Sequence, residues 1–213
     1  MTPLPLNYRL YLVTDAGLSR GRSQREIVEA AIRGGVTVVQ YREKAASTRA
    51  MIAEATALLE VCHAHGVPLI VNDRVDVALA VGADGVHVGQ EDMPAEIARR
   101  VIGPARILGV SVENAEQARR ASEAGADYVG ASPIFATPTK TDTAPPLGLA
   151  GLEAIARVSP LPVVAIGGMN AGNAAAMIQA GAAGVAVVSA IVAAEDVEAA
   201  ARALRAAVDQ ARR

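Results

Sequence analysis

Short apolar runs alternate with longer amphipathic stretches along the whole chain. The runs are rich in Val and Ile and are too short for helices, so they predict buried β-strands. The stretches between them repeat apolar residues at helical spacing; residues 195–212, for example, place Val197, Ala201, Leu204 and Val208 on one face. The predicted strands are residues 9–14, 36–41, 68–72, 85–89, 106–110, 127–131, 162–166 and 184–188.

Several predicted helices end in the same way, with a glycine and then the next strand, as in IRGGV, HAHGVP and EAGADYV. Such a glycine supplies a left-handed cap and predicts a short turn from helix to strand. The continuous apolar content of the strands favours a parallel sheet covered by helices. Eight strand–helix units fill residues 1–213, so we expect a single α/β domain, a (β/α)8 TIM barrel. A doubly wound open sheet is the alternative, because periodicity does not show closure.

The composition narrows the classes of function. Of 213 residues, 52% are hydrophobic but only 2% are aromatic, so the core has to consist of small branched side chains packed in layers. Acidic and basic residues are interspersed and the net charge is −2, which indicates no nucleic-acid or membrane surface. The single cysteine, Cys62, excludes an intramolecular disulfide. We find neither a signal peptide nor an apolar run long enough for a transmembrane helix, and expect a cytoplasmic protein.

Polar residues follow the predicted strands at their carboxyl ends. In a (β/α)8 barrel these ends form one rim, and catalysis takes place there. Segments that are far apart in the sequence are therefore expected to converge on one face. They include Thr14, Asp15, residues 40–44, residues 72–74, residues 89–92, Ser111, residues 132–142, residues 167–168 and residues 188–189.

The segment QYREK (40–44) ends the second predicted strand. Gln40, Arg42 and Lys44 recur with a period of two, so they point the same way if the strand extends. Arginine offers a flat pair of donors for two phosphate oxygens, and lysine adds a point charge. A solvated loop with ordinary surface charges is the alternative, but the position on the rim favours binding of an anion.

Asp73 and Asp92 follow the third and fourth predicted strands, which are neighbours in the barrel. Two carboxylates suit Mg²⁺, which takes one or two of them and completes its octahedron with water and phosphate oxygens. Each aspartate also precedes a predicted helix, so the alternative is that both are N-caps. Their position beside residues 40–44 favours a shared metal at least as much as capping.

Two further segments suit a phosphate group. Gly167 and Gly168 follow the seventh strand, and Val188 and Ser189 follow the eighth, where these barrels commonly bind phosphate. Turn geometry alone is the alternative explanation for the glycines. His87 lies in the middle of the fourth strand, and we interpret it as a core histidine whose hydrogen bonds are satisfied.

The loop SPIFATPTKTD (132–142) carries more hydrogen-bond donors than a plain turn needs. Together with the other rim segments it predicts two phosphorylated substrates, one of them a diphosphate bound to Mg²⁺. The chain resembles the thiamine phosphate synthase family over essentially its full length. The matching segments are YLVTD, VVQYREK, PLIVNDR, GADGVHVGQEDMP, GVSV, GADYVGASPIFATPTKTD, VVAIGGMN and GVAVVSAI.

The resemblance implies a transferase of thiamine biosynthesis. Such an enzyme couples 4-amino-2-methyl-5-hydroxymethylpyrimidine diphosphate to 4-methyl-5-(2-phosphoethyl)thiazole, or to its carboxylate, and releases thiamine phosphate and pyrophosphate. The resemblance further implies that pyrophosphate leaves before the thiazole nitrogen attacks a pyrimidinylmethyl cation. The leaving charge would then be neutralised by Mg²⁺ and by three catalytic cations, Arg42, Lys44 and Lys140.

Site residues are carried over from the family in the same way. Asp73 and Asp92 are expected to bind Mg²⁺. The pyrimidine diphosphate is expected to contact Gln40, Tyr41, Arg42, Glu43, Lys44, Asn72, Ser111 and Lys140. The thiazole phosphate is expected to contact Thr137, Pro138, Thr139, Gly168, Val188 and Ser189.

Two other functions remain open at this point. A related thiazole tautomerase, an isomerase, shares the barrel and the thiazole phosphate site, but it needs neither the Asp73–Asp92 pair nor the basic QYREK segment. A non-catalytic phosphate-binding barrel would bind ligands without turnover. The expected partners are small-molecule substrates, and a homo-oligomer also remains open.

Overall fold

The computed structural model describes residues 6–137 and 145–213, and these form a closed barrel. Parallel strands pair in chain order, and the first strand closes on the last, with Leu10 opposite Val185 and Leu12 opposite Val187. The predicted (β/α)8 barrel is therefore confirmed, and the alternative of an open doubly wound sheet is wrong.

Each observed strand overlaps a predicted apolar run. The fifth strand is longer than predicted, because Ser111 and Val112 continue the ladder opposite Gly130 and Ala131 after the apolar run has ended. The strands are β1 Leu10–Val13, β2 Val38–Tyr41, β3 Leu69–Asn72, β4 Gly85–Val88, β5 Ile107–Val112, β6 Tyr128–Ala131, β7 Val163–Ile166 and β8 Gly184–Val187.

Helices surround the barrel and follow the strands. The last predicted helix, residues 195–212, is observed over Val197–Gln210, and a separate one-turn helix lies between it and β8. The helices are α1 Gln24–Arg33, α2 Thr48–Ala64, α3 Val75–Val81, α4 Ala95–Ile102, α5 Ala115–Glu123, α6 Gly148–Val158, α7 Ala174–Gln179, α8 Ser189–Val192 and α9 Val197–Gln210. Within the described residues, no helix is long and apolar enough to cross a membrane.

Side chains alternate along each strand between the helices and the inside of the barrel. The outward-facing residues, such as Leu12 and Val39, pack against the helices in the larger apolar core. The inward-facing residues form a second, smaller cluster that includes Val38, Ile70 and Val164. This inner cluster fills the lower part of the barrel, so any cavity inside it has to open toward the carboxyl ends of the strands.

The helix-to-strand turns lie at the opposite end of the barrel and serve stability. The expected glycines there have positive φ angles, in the region that favours glycine: Gly35, Gly66, Gly82, Gly125 and Gly181. Two repeated GAD segments place Asp84 and Asp127 where their carboxylates accept the N–H groups of Leu69 (2.8 Å) and Leu108 (2.7 Å). These bonds satisfy backbone donors at the start of β3 and β5.

Candidate active site

A cavity of about 460 Å³ opens at the carboxyl ends of the strands, and all eight strands contribute to its wall. This is the rim predicted from the sequence. Most of the predicted site residues line the cavity: Gln40, Arg42, Lys44, Asn72, Asp73, Asp92, Ser111, Thr137, Gly168, Val188 and Ser189. The structure therefore brings together side chains that are far apart in the sequence, from Gln40 to Ser189.

Five predicted residues are not placed in the cavity wall. The Tyr41 side chain points outward, and its hydroxyl donates to Glu54 Oε2 at 2.9 Å behind the strand. The Glu43 carboxylate accepts the N–H groups of Ala45 (2.6 Å) and Ala46 (3.1 Å), and these bonds help to lower its pKa. The other three residues lie outside the described part of the chain: Pro138, Thr139 and Lys140.

Two cations stand at the end of β2, and each one faces an aspartate. The Arg42 guanidinium lies 3.2 Å from Asp15 Oδ2, and its backbone N–H donates to Thr14 Oγ1 at 3.0 Å. The Lys44 ammonium lies 2.5 Å from Asp73 Oδ2. The side chains of Arg42 and Lys44 are 21% and 56% exposed, so both can reach an anion at the mouth of the cavity.

Asp73 and Asp92 meet at the ends of β3 and β4. Burial and the neighbouring Asp92 carboxylate raise the pKa of Asp73, against the opposing effect of Lys44. Asp73 has a φ angle of 60°, a left-handed conformation that is rare for a residue with a side chain, and its N–H donates to His87 O at 2.8 Å. A partly buried, mutually repelling acid pair held in this way is suited to a divalent cation.

Neither aspartate caps a helix, so the N-cap alternative is wrong for both. The N-cap of α3 is Arg74 and that of α4 is Pro94, and neither makes a side-chain capping bond. Asp92 Oδ2 instead accepts the N–H of Gly89 at 2.7 Å and closes the short loop after β4. Among the residues that the structure describes, no group of three or more His, Cys, Asp or Glu side chains is placed to hold a metal ion. Two carboxylates are nonetheless the number that Mg²⁺ takes when a phosphate group and water complete its shell.

The far side of the cavity is built around Gly168. The segment after β6 continues along the end of β7, where Phe135 N–H donates to Gly167 O at 3.1 Å. Gly168 has a φ angle of 69°, and a Cβ there would lie 2.9 Å from Phe135 Cβ. Only glycine allows this close approach, and Thr137 lines the cavity together with Gly168 and with Ser189 at the start of α8. The first turn of a helix has N–H groups without intrahelical partners, which favours an anion.

The floor of the cavity carries a chain of hydrogen bonds, which we call the floor chain (Gln40, Tyr11, Tyr128, His87 and Ser111). Gln40 Nε2 donates to the Tyr11 hydroxyl at 2.9 Å, and the Tyr11 and Tyr128 hydroxyls lie 2.7 Å apart. His87 then lies between Tyr128 Oη, 2.9 Å from Nδ1, and Ser111 Oγ, 2.8 Å from Nε2. The interpretation of His87 as a satisfied histidine is confirmed, and burial lowers its pKa to about 4.

Sequence reasoning missed three polar residues that line this site, Tyr11, Tyr128 and Asn170. Tyr11 and Tyr128 line the floor, and the only available signal was that they lie in strands in a chain with 4 tyrosines. Asn170 lines the cavity beside Gly168, whose carbonyl accepts from Asn173 Nδ2 at 2.9 Å. Asn170 and Asn173 flank a tight turn in the segment GGMNAGN. The combination of glycine and asparagine in this segment was the sequence signal for the turn.

Comparisons with known proteins agree with this geometry. A family model described as thiamine monophosphate synthase matches residues 10–191. A thiamine-phosphate synthase of Chloroflexus aurantiacus is 64% identical over 203 residues, which cover 95% of this chain and 94% of that protein. One of Roseiflexus sp. is 56% identical over 202 residues, covering 95% and 86%. Among solved structures, thiamine phosphate pyrophosphorylase from Pyrococcus furiosus has a TM-score of 0.88 at 42% identity, covering 96% of this chain and 97% of that one.

Proposed function

The chain belongs to the thiamine monophosphate synthase family, and on that premise we propose how its cavity joins two phosphorylated heterocycles into thiamine phosphate. It is a transferase of thiamine biosynthesis. The proposed substrates are 4-amino-2-methyl-5-hydroxymethylpyrimidine diphosphate and 4-methyl-5-(2-phosphoethyl)thiazole or its carboxylate. The observation that supports this assignment is that one cavity is lined by two different groups of residues, a basic and acidic side at β2–β4 and a glycine-rich side at β6–β8, each of which suits an anion.

The diphosphate is proposed to lie against the β2–β4 side. Arg42 and Lys44 supply positive charge there, and Asn72 lines the same wall. Asp73 and Asp92 would hold Mg²⁺, and the ion would neutralise charge on the diphosphate when it is bound. The partial burial and the mutual repulsion of the acid pair support this fit, because a cation relieves the repulsion.

The thiazole phosphate is proposed to lie against the β6–β8 side. Gly168, Val188 and Ser189 form this wall with Thr137. The Ser189 hydroxyl and the N–H groups of the first turn of α8 are donors suited to a phosphate dianion. The predicted contacts Pro138 and Thr139 follow Thr137 directly and lie outside the described residues.

With the thiazole phosphate itself, the reaction requires one bond to break and one to form; its carboxylate would in addition have to lose CO2. The C–O bond between the pyrimidine methylene and the diphosphate breaks, and pyrophosphate leaves with the electron pair. The thiazole ring nitrogen donates its lone pair to the methylene carbon. Arg42, Lys44 and, by the family resemblance, Lys140 stabilise the charge that grows on the leaving oxygen. The apolar lower barrel keeps water away from the electron-poor methylene carbon.

A thiazole tautomerase is the second candidate and is less well supported. An isomerase that ionises no diphosphate has no use for a repelling carboxylate pair beside two cations. The β6–β8 side alone would suit such an isomerase. The carboxylate pair on the β2–β4 side would then be held together at a cost in stability without binding a ligand.

The test is to mix the purified protein with both substrates and Mg²⁺ and to detect thiamine phosphate and pyrophosphate by mass spectrometry. Formation of both products in equal amounts, dependent on both substrates, is the expected result. Tautomerisation of a thiazole phosphate without coupling would favour the isomerase, and binding of both ligands without any product would favour a non-catalytic barrel.

Other properties follow from this proposal rather than from the geometry. The partners are small-molecule substrates. We place the protein in the cytoplasm, in keeping with its biosynthetic family. The interspersed charge and the net charge of −2 support the absence of a nucleic-acid partner. A homo-oligomer remains compatible with the fold, and size-exclusion chromatography with light scattering measures it.

A further inference from the structure

The floor chain joins two expected substrate contacts through three residues that have no role so far. Its ends are Gln40 and Ser111, and its middle residues are Tyr11, Tyr128 and His87. Each of the five comes from a different strand, and all except Ser111 are buried. A run of paired polar groups through the inside of a barrel is unusual, because apolar side chains normally fill that space.

The hydrogen bonds of the floor chain have one direction. Gln40 Nε2 donates to the Tyr11 oxygen, so the Tyr11 proton is available for Tyr128. With that proton on its oxygen, Tyr128 can donate its own proton to His87 Nδ1 at 2.9 Å, and a proton on His87 Nε2 can be donated to Ser111 Oγ at 2.8 Å. In the reverse direction the Tyr11 oxygen would receive two donors, and its own buried proton would have no acceptor, which is costly.

This direction fixes what the two ends offer to a ligand. Ser111 Oγ accepts from His87, so its hydroxyl proton remains available as a donor. Gln40 uses its amide N–H on Tyr11, so its carbonyl oxygen remains available as an acceptor. Both residues line the cavity. We propose that Tyr11, Tyr128 and His87 are positioning residues that preset Ser111 as a donor and Gln40 as an acceptor for the pyrimidine diphosphate.

Two observations distinguish this role from ordinary packing. A Cβ at Gly109 would lie 2.2 Å from Tyr128 Cζ and 2.5 Å from His87 Nδ1, so the sequence leaves space for these two side chains at that position. Phenylalanine would fill the same volume as Tyr128 without the need to pair a buried hydroxyl. Tyr8 provides the contrast, since it stacks on Tyr128 with ring centroids 4.9 Å apart, but its buried hydroxyl has no partner within residues 6–137 and 145–213.

The kinetic test compares Tyr128→Phe with Tyr8→Phe as the matched control. Both remove one buried hydroxyl and keep the ring. Tyr128→Phe should weaken binding of the pyrimidine diphosphate about five- to tenfold, the effect of one hydrogen bond, and leave the KM for the thiazole phosphate within about twofold. Tyr8→Phe should change neither. Equal effects of the two variants, or equal shifts for both substrates, would overturn the proposal. Calorimetry gives the binding constants and circular dichroism checks folding.

A second measurement needs no turnover and no Tyr128 variant. A His63→Gln, His65→Gln protein keeps His87 as its sole histidine, and both replaced residues are exposed. The ¹⁵N chemical shifts of the ring then report which nitrogen carries the proton. A proton on Nε2 is expected, and a proton on Nδ1 would overturn the stated direction.

The inference rests on the proposed function, but the two can fail separately. A protein that makes no thiamine phosphate yet shows the Nε2 proton would refute the function and leave the order of the floor chain intact. An active synthase with the proton on Nδ1, or with unchanged binding in Tyr128→Phe, would refute the positioning role alone.

Discussion

Replacing Asp92 with Asn separates the charge of the acid pair from the shape of its loop. Asp92 Oδ2 accepts the N–H of Gly89 at 2.7 Å, and an Asn side chain retains an oxygen for the same bond. The substitution therefore removes one negative charge from beside Asp73 and keeps the closing contact of the loop. Because burial and then Asp92 raise the pKa of Asp73, this charge is unfavourable in the metal-free protein.

The size of the effect follows from the charges present. Two like charges about 4 Å apart repel by about 4 kcal/mol at an effective dielectric constant of about 20. Both carboxylates are only partly buried, so solvent, together with the Lys44 ammonium 2.5 Å from Asp73, reduces this repulsion. We therefore expect Asp92→Asn to raise the free energy of unfolding without metal by about 1 kcal/mol. The same variant should raise the Mg²⁺ concentration for half-maximal activity at least about tenfold, because a direct ligand is lost.

The assay combines urea unfolding at pH 8 in EDTA with initial rates over a Mg²⁺ titration. Asp76→Asn is the matched control, since Asp76 is an exposed aspartate on α3 that pairs with Arg74 at 2.6 Å. It should leave the Mg²⁺ requirement unchanged. A wild-type Mg²⁺ requirement in Asp92→Asn would refute the metal site, and a loss of more than about 1 kcal/mol of stability would refute the repulsion argument.

The remaining predictions concern single groups. Lys140→Ala should fold normally and lose about 10²–10³-fold in kcat, with partial recovery in Lys140→Arg; a kcat within threefold of wild type at saturation would remove Lys140 from the mechanism. Ser189→Ala should raise the KM for the thiazole phosphate more than it lowers kcat, and a defect confined to the pyrimidine diphosphate would contradict the two-sided cavity. Gly168→Ala should cost about 1–2 kcal/mol in urea unfolding, because its φ of 69° is unfavourable for alanine and the new Cβ would lie 2.9 Å from Phe135 Cβ. The pKa of His87 is about 4 in the folded protein and about 6.5 in the unfolded chain. The stability that neutral His87 contributes is therefore fully present above pH 6.5 and is lost as the pH falls to 4. The free energy of unfolding of His87→Gln, measured over this pH range, should lack about 3 kcal/mol of the wild-type pH dependence.

The fold was predictable because its signals are local. Apolar runs, helical spacing and terminal glycines each occupy a few residues, and eight repeats of them leave few ways to close the sheet. The boundary of β5 was missed for the same reason. Ser111 ends the apolar run, and only its pairing with Gly130 on β6 shows that the strand continues.

In the candidate site, too, some features were predictable from the sequence and others were not. Asp73 and Asp92 could be placed together because they end consecutive strands, and in a barrel consecutive strands are neighbours. The left-handed backbone of Asp73 could not be predicted, since glycine is the usual signal for it and aspartate adopts it only occasionally. The contact of Tyr11 with Tyr128 joins residues 117 positions apart on β1 and β6, and it depends on the diameter of the barrel rather than on any motif.

The polar floor and the cavity above it have a common origin in small residues on the inner face. Gly109 of β5 leaves space for the rings of Tyr128 and His87, and Gly130 of β6 lies close to His87, where a Cβ would be 3.3 Å from Cε1. Side chains at these positions would force the two rings toward the carboxyl ends of the strands and fill the cavity. With glycine there, the rings lie across the barrel, and their polar atoms meet in its centre. Two of the few aromatic residues of this chain, Tyr11 and Tyr128, therefore form a floor together with His87. With the hydrogen-bond direction proposed above, we expect this floor to orient a substrate before its diphosphate reaches the charged rim.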